Sequence, residues 1–437
     1  MSRHAVRERI ERAFALADAP EAAHVFTVRL DDAARADADA ADAGRSARSR
    51  LPFLGVPITI KDNIDLAGQP TTAGSVTLGD APPAERDAPL VSRLRQNGFV
   101  LLGRTNMTEF AFSGLGLNPH YGTPANPAMA GEPRIPGGSS SGAAVSVALD
   151  IAPLAIGTDT GGSIRIPAAL CGLAGFKPTA GAIDRAGVLP LSMTLDAVGV
   201  IGRTVSDCAA LFDALRDPPL PFRREARAGR LRLGLVTNYV MQDLDAATAQ
   251  AFEAAVAQLS SAGIGIESLA LPELDAIPAM LSQGTLPGAE AYAWHESRLD
   301  RRAEYDPLVL ERIEAGGRMS AAAYVRLVAA REAMIDSVNA RTWEFDALLW
   351  PTVPTIAPTI ASLADPDAYR AANARMLRNP SVVNLLDGCA FSIPCPGDAP
   401  VGLSLAAGRG KDDRLIAVAA RIESILKGAD HARHQGT

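Results

Sequence analysis

Short apolar runs rich in Val, Ile and Leu alternate along this chain with longer stretches of helical period. Runs at 54–60, 99–102, 153–157, 231–237, 264–269, 346–350 and 401–406 predict strands. Helices are predicted over 5–18, 21–43, 87–97, 141–149, 204–216, 245–262 and 412–426, with more helix filling 288–340. Asn97-Gly98 closes helix 87–97 as a C-cap. Thr108 stands where it would cap a short helix carrying Phe110 and Phe112. Strand 231–237, helix 245–262 and strand 264–269 make a βαβ unit. Strands that alternate with helices throughout predict an α/β sheet covered on both faces.

Composition narrows the function classes. The chain has 437 residues, which by length alone allows two or three domains. Its hydrophobic fraction of 48% is ample for a large core, and its net charge of −7 argues against a nucleic-acid partner, which needs a basic footprint. The four cysteines, Cys171, Cys208, Cys389 and Cys395, form no Cys-x-x-Cys pair, so neither a zinc site nor a disulfide framework is indicated and a cytoplasmic setting fits. Met1 to Asp18 lacks the apolar stretch of a signal peptide, and no run is long enough to cross a bilayer, so no membrane partner is expected. With His4, His431 and His434 in the tails, only His24, His120 and His295 remain, which leaves little from which to build a Ser-His-Asp triad. The Ala- and Asp-rich stretch Asp31–Asp42 reads as a solvated helix face, Arg45–Arg50 as a basic linker, and the Pro-rich and then charged segment 217–230 as a surface linker.

Two glycine–serine segments carry the chemistry. The first is Pro136-Gly-Gly-Ser139-Ser140-Ser-Gly142; the second is Gly157-Thr-Asp159-Thr160-Gly161-Gly162-Ser163-Ile-Arg165. The small, apolar stretch Ala143–Ile156 between them has room for one helix, one turn and one strand, which returns both loops to the same end of a sheet. Upstream, the β-branched run Val56-Pro-Ile-Thr-Ile60 ends in Lys61. A lysine closing such a strand is expected to be partly buried, which disfavours the ammonium form and makes the amine a base. Two serines then serve as nucleophile and relay. Taken singly the pieces have blander readings: a Gly-Ser run is also a flexible linker, a strand-end lysine is also a solvated one, and Asp159 with Arg165 is also an ordinary ion pair. A Gly-Gly-Ser loop could equally cradle a phosphate, although the lysine of a phosphate-binding loop does not follow it.

Together, Lys61, the Gly-Gly-Ser-Ser-Ser-Gly loop and Gly-Thr-Asp-Thr-Gly-Gly-Ser-Ile-Arg resemble the amidase signature family over roughly residues 50 to 425. The resemblance implies an α/β fold built on a single large mixed, mostly parallel β-sheet core, with residues 1–50 as a helical segment packed on it and 51–437 as one domain. It implies hydrolysis of amide C–N bonds by a Ser–cis-Ser–Lys triad of Ser163, Ser139 and Lys61, with a cis peptide between Gly138 and Ser139. The amides of Thr160, Gly161, Gly162 and Ser163 would form the oxyanion hole, and Ser140, Asp159 and Arg165 would support the loops. Phe112, Ser113, Gly114 and Leu115 would bind substrate, and the stretch Gly114–Gly138 would line the acyl side of the cleft. Thr71–Ser75 is expected at the cleft border, and His120 reads as structural. Neither a metal nor an organic cofactor is implied, and a homodimer is left open.

The substrate is a small-molecule amide or carbamate on this reading. Phe110-Ala-Phe-Ser-Gly-Leu115 is less polar than the matching segment of transamidating relatives, which suggests an apolar acyl pocket. Ile166 stands where malonamidase-like members carry a carboxylate-binding arginine, which argues against a small dicarboxylic monoamide. Two alternatives are carried forward: the amidase subunit of a tRNA-dependent amidotransferase, and a non-catalytic phosphate- or nucleotide-binding protein.

Overall fold

The computed structural model describes residues 5–44, 51–217 and 231–434. Eleven strands form one sheet: β1 Phe26–Arg29, β2 Pro57–Lys61, β3 Val100–Thr105, β4 Leu154–Asp159, β5 Ala174–Lys177, β6 Ala197–Gly202, β7 Arg232–Val236, β8 Gly265–Leu269, β9 Ala347–Pro351, β10 Cys389–Pro394 and β11 Gly402–Ala407. Their order across the sheet is β1-β3-β2-β4-β6-β5-β10-β11-β9-β7-β8. Helices cover both faces. On one, Ile58, Ile60, Ile156, Phe176 and Phe391 meet Phe212 of helix Val205–Leu215 and Leu415 and Ile422 of helix Asp412–His434. On the other, Leu102, Ala155 and Ile201 meet Ile10 and Phe14 of helix Ala5–Ala17 and the small side chains of helix Ser141–Ala148.

The middle of the sheet positions the chemistry. Every residue of β2 and β4 is buried, which is why both read as continuous apolar runs rather than alternating ones. They pair in parallel, Ile58 opposite Leu154 and Ile60 opposite Ile156, so their carboxyl ends lie on the same side. Lys61 is the last residue of β2, and Asp159 is the last of β4. The helix Ser141–Ala148 that joins the serine loop to β4 presses small side chains on the sheet, and its Ser146 Oγ meets Thr59 Oγ1 at 3.0 Å. Gly157 is required here: a Cβ would stand 2.6 Å from Ser140 Oγ, so a larger residue in β4 would push the serine loop off the strand.

Several expectations need correction. Strand pairings are antiparallel in six cases and parallel in four, so the mixed sheet is not mostly parallel. The predicted helix 21–43 is broken. His24 takes a positive φ of 65°, and the β-branched run Phe26–Arg29 pairs antiparallel with β3, so helix begins only at Asp31. The segment before residue 50 therefore contributes an edge strand as well as helices. Thr108 makes no capping bond, because Phe110 and Ala111 adopt positive φ of 49° and 60° and the turn at Glu109–Ala111 is not a regular helix. Strands β5, β6 and β10 and the helix Pro366–Leu385 had no clear pattern. Glycines interrupt β5 and β6, and Pro380 lies inside the helix. The βαβ unit is present, with β7 and β8 parallel and helix Ala246–Ser261 between them. Residues 45–50 and all but Asp217 of the linker lie outside the described residues.

Candidate active site

Lys61 extends from the end of β2 into a site with no solvent exposure. Its Nζ donates to Ser139 Oγ at 2.7 Å and to Thr158 Oγ1 at 2.8 Å. Among the described residues it makes no ion pair. Burial pushes the ammonium down to about 7, against an upward pull from Asp196 and Asp159. Asn63 Nδ2 donates to the same Thr158 hydroxyl at 3.2 Å, which holds that hydroxyl in place beside the amine.

The serine loops are tied to each other. The Gly138–Ser139 peptide is cis, as the resemblance implies. The Ser140 amide donates to Ser163 O at 3.2 Å, and the Ser140 hydroxyl to Thr158 O at 3.3 Å. Ser140 is therefore a brace between the first loop, the second loop and β4. Ser163 is 3% exposed and faces a cavity of about 610 Å³. Among the described residues its hydroxyl has no hydrogen bond, and none joins it to Ser139. The amine–Ser139 link is thus made, while Ser163 lines the cavity with its hydroxyl unpaired among the described residues.

Asp159 and Arg165 hold the second loop from beneath. Both are fully buried. The guanidinium donates twice to the carboxylate, Nε to Oδ2 at 3.0 Å and Nη2 to Oδ1 at 2.9 Å, and also to Pro380 O and Asn384 Oδ1. The carboxylate accepts the Gly162 and Ile164 amides. Burial pushes its carboxyl up, but Arg165 and Asn384 outweigh that and bring it to about 2. The Gly162 amide, expected among four oxyanion donors, is committed to Asp159 instead. The loop also needs glycine at 162, where φ is 126° and a Cβ would meet Pro380 Cγ at 2.6 Å.

Three comparisons bear on this geometry. A family model described as Amidase matches residues 5–416. The chain belongs to the amidase family. It is 38% identical over 87% of its length to 83% of a 2-amino-5-chloromuconic acid deaminase from Comamonas testosteroni. It is 34% identical over 86% of its length to 84% of an indoleacetamide hydrolase from Pseudomonas savastanoi, and 35% identical over 92% to 89% of a glutamyl-tRNA(Gln) amidotransferase chain from Salinispora arenicola. A solved amidase structure superposes with a TM-score of 0.86 at 31% identity over 96% of each chain. This amidase is accordingly a hydrolase of C–N bonds in non-peptide amides. No helix among its described residues is long and apolar enough to cross a membrane, and no cluster of His, Cys, Asp or Glu there could hold a metal ion.

The remaining expected residues separate into two groups. Phe112 and Ser113 line the cavity of the amidase. Gly114 and Leu115 do not. The Gly114 amide is taken by Asn373 Oδ1, and Leu115 is buried in a cluster with Ile135, Ile166 and Val353. Nor do other residues of Gly114–Gly138 reach the cavity, because that stretch packs against this same cluster and bonds, through the Ile135 amide, to Pro358 O. Thr71–Ser75 also stays away from it: Thr72 and Gly74 bond the Asp62 carboxylate instead. His120 Nε2 lies 3.0 Å from Glu109 Oε1, a structural pairing.

Three residues of the candidate site went unnoticed in the sequence. Thr158 lies inside the quoted loop and could have been found as the hydroxyl flanking Asp159. Asp196, 6% exposed, accepts the Thr160 hydroxyl and the Leu191 and Ser192 amides. Its only signal was an acid abutting the apolar run of β6, and burial pushes its carboxyl up to about 6. Arg312 lines the cavity from helix Pro307–Gly316 and had no signal at all.

Proposed function

We propose that the amidase cleaves a small-molecule amide through an acyl-enzyme on Ser163, with Lys61 and Ser139 as its proton relay. One observation carries this reading: a fully buried lysine with no carboxylate partner, lowered to about 7 and 2.7 Å from a serine hydroxyl. At neutral pH much of that amine is uncharged and has a lone pair to offer.

The neutral Lys61 amine takes the Ser139 proton as Ser139 takes that of Ser163. The Ser163 oxygen then bonds the substrate carbonyl carbon, and the carbonyl oxygen becomes an oxyanion facing the amides of Thr160, Gly161 and Ser163. Collapse re-forms the carbonyl and breaks the C–N bond. Ser139 gives a proton to the departing nitrogen and is reprotonated by Lys61, so the amine leaves neutral. Water attacks the resulting ester by the same route, the C–O bond to Ser163 breaks, and the acid departs. Each oxyanion donor is worth about 3 kcal/mol of barrier in comparable sites.

Relatives are named for a chloromuconic acid, a carboxybiuret and indoleacetamide. Their names, and a mostly apolar cavity with six leucines in its wall, support an alkyl, aryl or unsaturated acyl group on an amide or carbamate. Four buried free cysteines suit a cytoplasmic enzyme, and light scattering tests whether it is a homodimer. The amidotransferase alternative is favoured by the match to the Salinispora arenicola chain. It predicts glutaminase activity that rises with a partner chain. Incubation with a fluorophosphonate, followed by peptide mass analysis, tests the main reading. The adduct is expected on Ser163, and an unmodified Ser163 rejects it.

A further inference from the structure

The cavity beside Ser163 is apolar over most of its wall, with Leu191, Leu195, Ile277 and Leu377 facing it. A guanidinium nevertheless stands in it without a counter-charge. The Arg312 guanidinium carbon lies 4.5 Å from the centre of the Phe112 ring. Among the described residues this side chain makes no hydrogen bond and no ion pair, and its Nε is shut off from solvent with no acceptor. Its neighbour Glu311 is committed to Arg370. The Tyr369 hydroxyl, close enough to feel the Arg312 charge, is buried, faces Ser113 and carries no charge to set against the arginine. The other charged groups of the wall do not cancel the arginine. Arg375 and Arg378 add positive charge, and Asp243, with its side chain 85% exposed, lies 3.9 Å from Arg378.

Arg312 is half-buried and only its Nε is drawn wholly out of water, which leaves the outer edge of the guanidinium open to the cavity. A partly desolvated charge is costly unless an opposite charge meets it, and a buried polar atom without a partner is rare enough to need a reason. A guanidinium stacked on an aromatic face keeps its N–H groups in the ring-parallel plane, where they match a carboxylate two at a time. Ile166, the position from which a carboxylate-binding arginine was missed, is fully buried behind the cavity wall with Leu115. The positive charge has instead been supplied from another element.

We infer that Arg312 is the carboxylate anchor of this amidase, whose substrate carries a carboxylate at the far end of an apolar skeleton lying against Phe112. The inference rests on reading this cavity as the amide site of Ser163. It turns the substrate from a neutral amide into an anionic one, and it overrides the expectation drawn from Ile166.

The test is a binding ratio, measured by calorimetry on Ser163→Ala protein so that nothing is turned over. The probes are monoamides of linear dicarboxylic acids, malonamate to suberamate, each paired with the amide of equal length ending in methyl. The Arg312 protein should favour at least one carboxylate probe over its neutral partner by about ten- to a hundredfold. That preference should collapse in Arg312→Gln and Arg312→Met and return in part in Arg312→Lys, with thermal melts confirming the fold. If no probe is favoured by the Arg312 protein, or the ratio is unchanged in the Gln and Met variants, the anchor is overturned. Failure of a fluorophosphonate to label Ser163 in the parent enzyme would instead overturn the nucleophile and leave the ratio standing.

Discussion

Lys61 Nζ stands 2.7 Å from Ser139 Oγ in a pocket where, among the described residues, its one other hydrogen-bond partner is the Thr158 hydroxyl. Hydroxyls take its hydrogen bonds while Asp196 and Asp159 pull on it only from a distance, and burial outweighs that pull. A carboxylate within hydrogen-bond reach would hold the ammonium form; hydroxyls in a dry site do not.

Ser163→Ala should abolish turnover and leave the fold unchanged. The side chain makes no hydrogen bond among the described residues, so its loss removes no stabilising contact. Steady-state rates should fall by at least about 10⁴-fold, while the thermal midpoint stays with the parent.

Lys61→Met should be nearly as damaging as Ser163→Ala, and the double variant no worse than either, because a relay acts as a unit. In the parent, kcat/KM should rise through an apparent pKa of about 7 as Lys61 loses its proton. A rate that peaks near pH 5 contradicts a lysine base.

Stability carries the same signature. Burial lowers the folded-state value of Lys61 from 10.5 to about 7, so the unfolded chain binds the extra proton between those limits. The parent should therefore gain stability relative to Lys61→Met as pH rises from about 7 toward 10.5. Urea unfolding of both proteins at pH 6 and pH 9 checks the sign.

Arg165→Lys should destabilise the protein by about 3–5 kcal/mol, because a point charge cannot replace the fork that serves Asp159, Pro380 and Asn384 together. Urea unfolding gives the loss, and kcat should fall with it, since Asp159 also holds the Gly162 amide.

Thr160→Val should lower kcat by about tenfold with little change in KM. It removes the hydroxyl that ties the oxyanion loop to Asp196 and leaves that carboxylate short of a donor. Kinetics on any hydrolysed amide measure the split.

The proposed triad could be named from the sequence because its chemistry is local. Lys61 ends a strand whose apolar character forces burial, and Ser139 and Ser163 sit in loops whose glycines mark close backbone approach. The α/β sheet was legible from the alternation of strands and helices and its mixed character from the family resemblance, but its pairing was not. Strands β5 and β6 are interrupted by glycine, and with β10 they form most of the antiparallel centre. Phe110 and Ala111 misled the reading of their segment because left-handed backbone at non-glycine residues leaves no mark in the pattern. Arg312 was invisible for a different reason. Its helix alternates charged and apolar residues like any solvated face, and only the fold shows that this arginine has no acid to meet.

The ionisation of Lys61 is the point on which the mechanism turns, and it can be observed without substrate. Carbon-13 NMR of the lysine side chains, with Lys61→Met to assign the signal, follows the Cε shift with pH in the Ser163→Ala protein. A midpoint near 7 is predicted; a midpoint near the ordinary 10.5 would mean a charged amine at working pH and would contradict the relay.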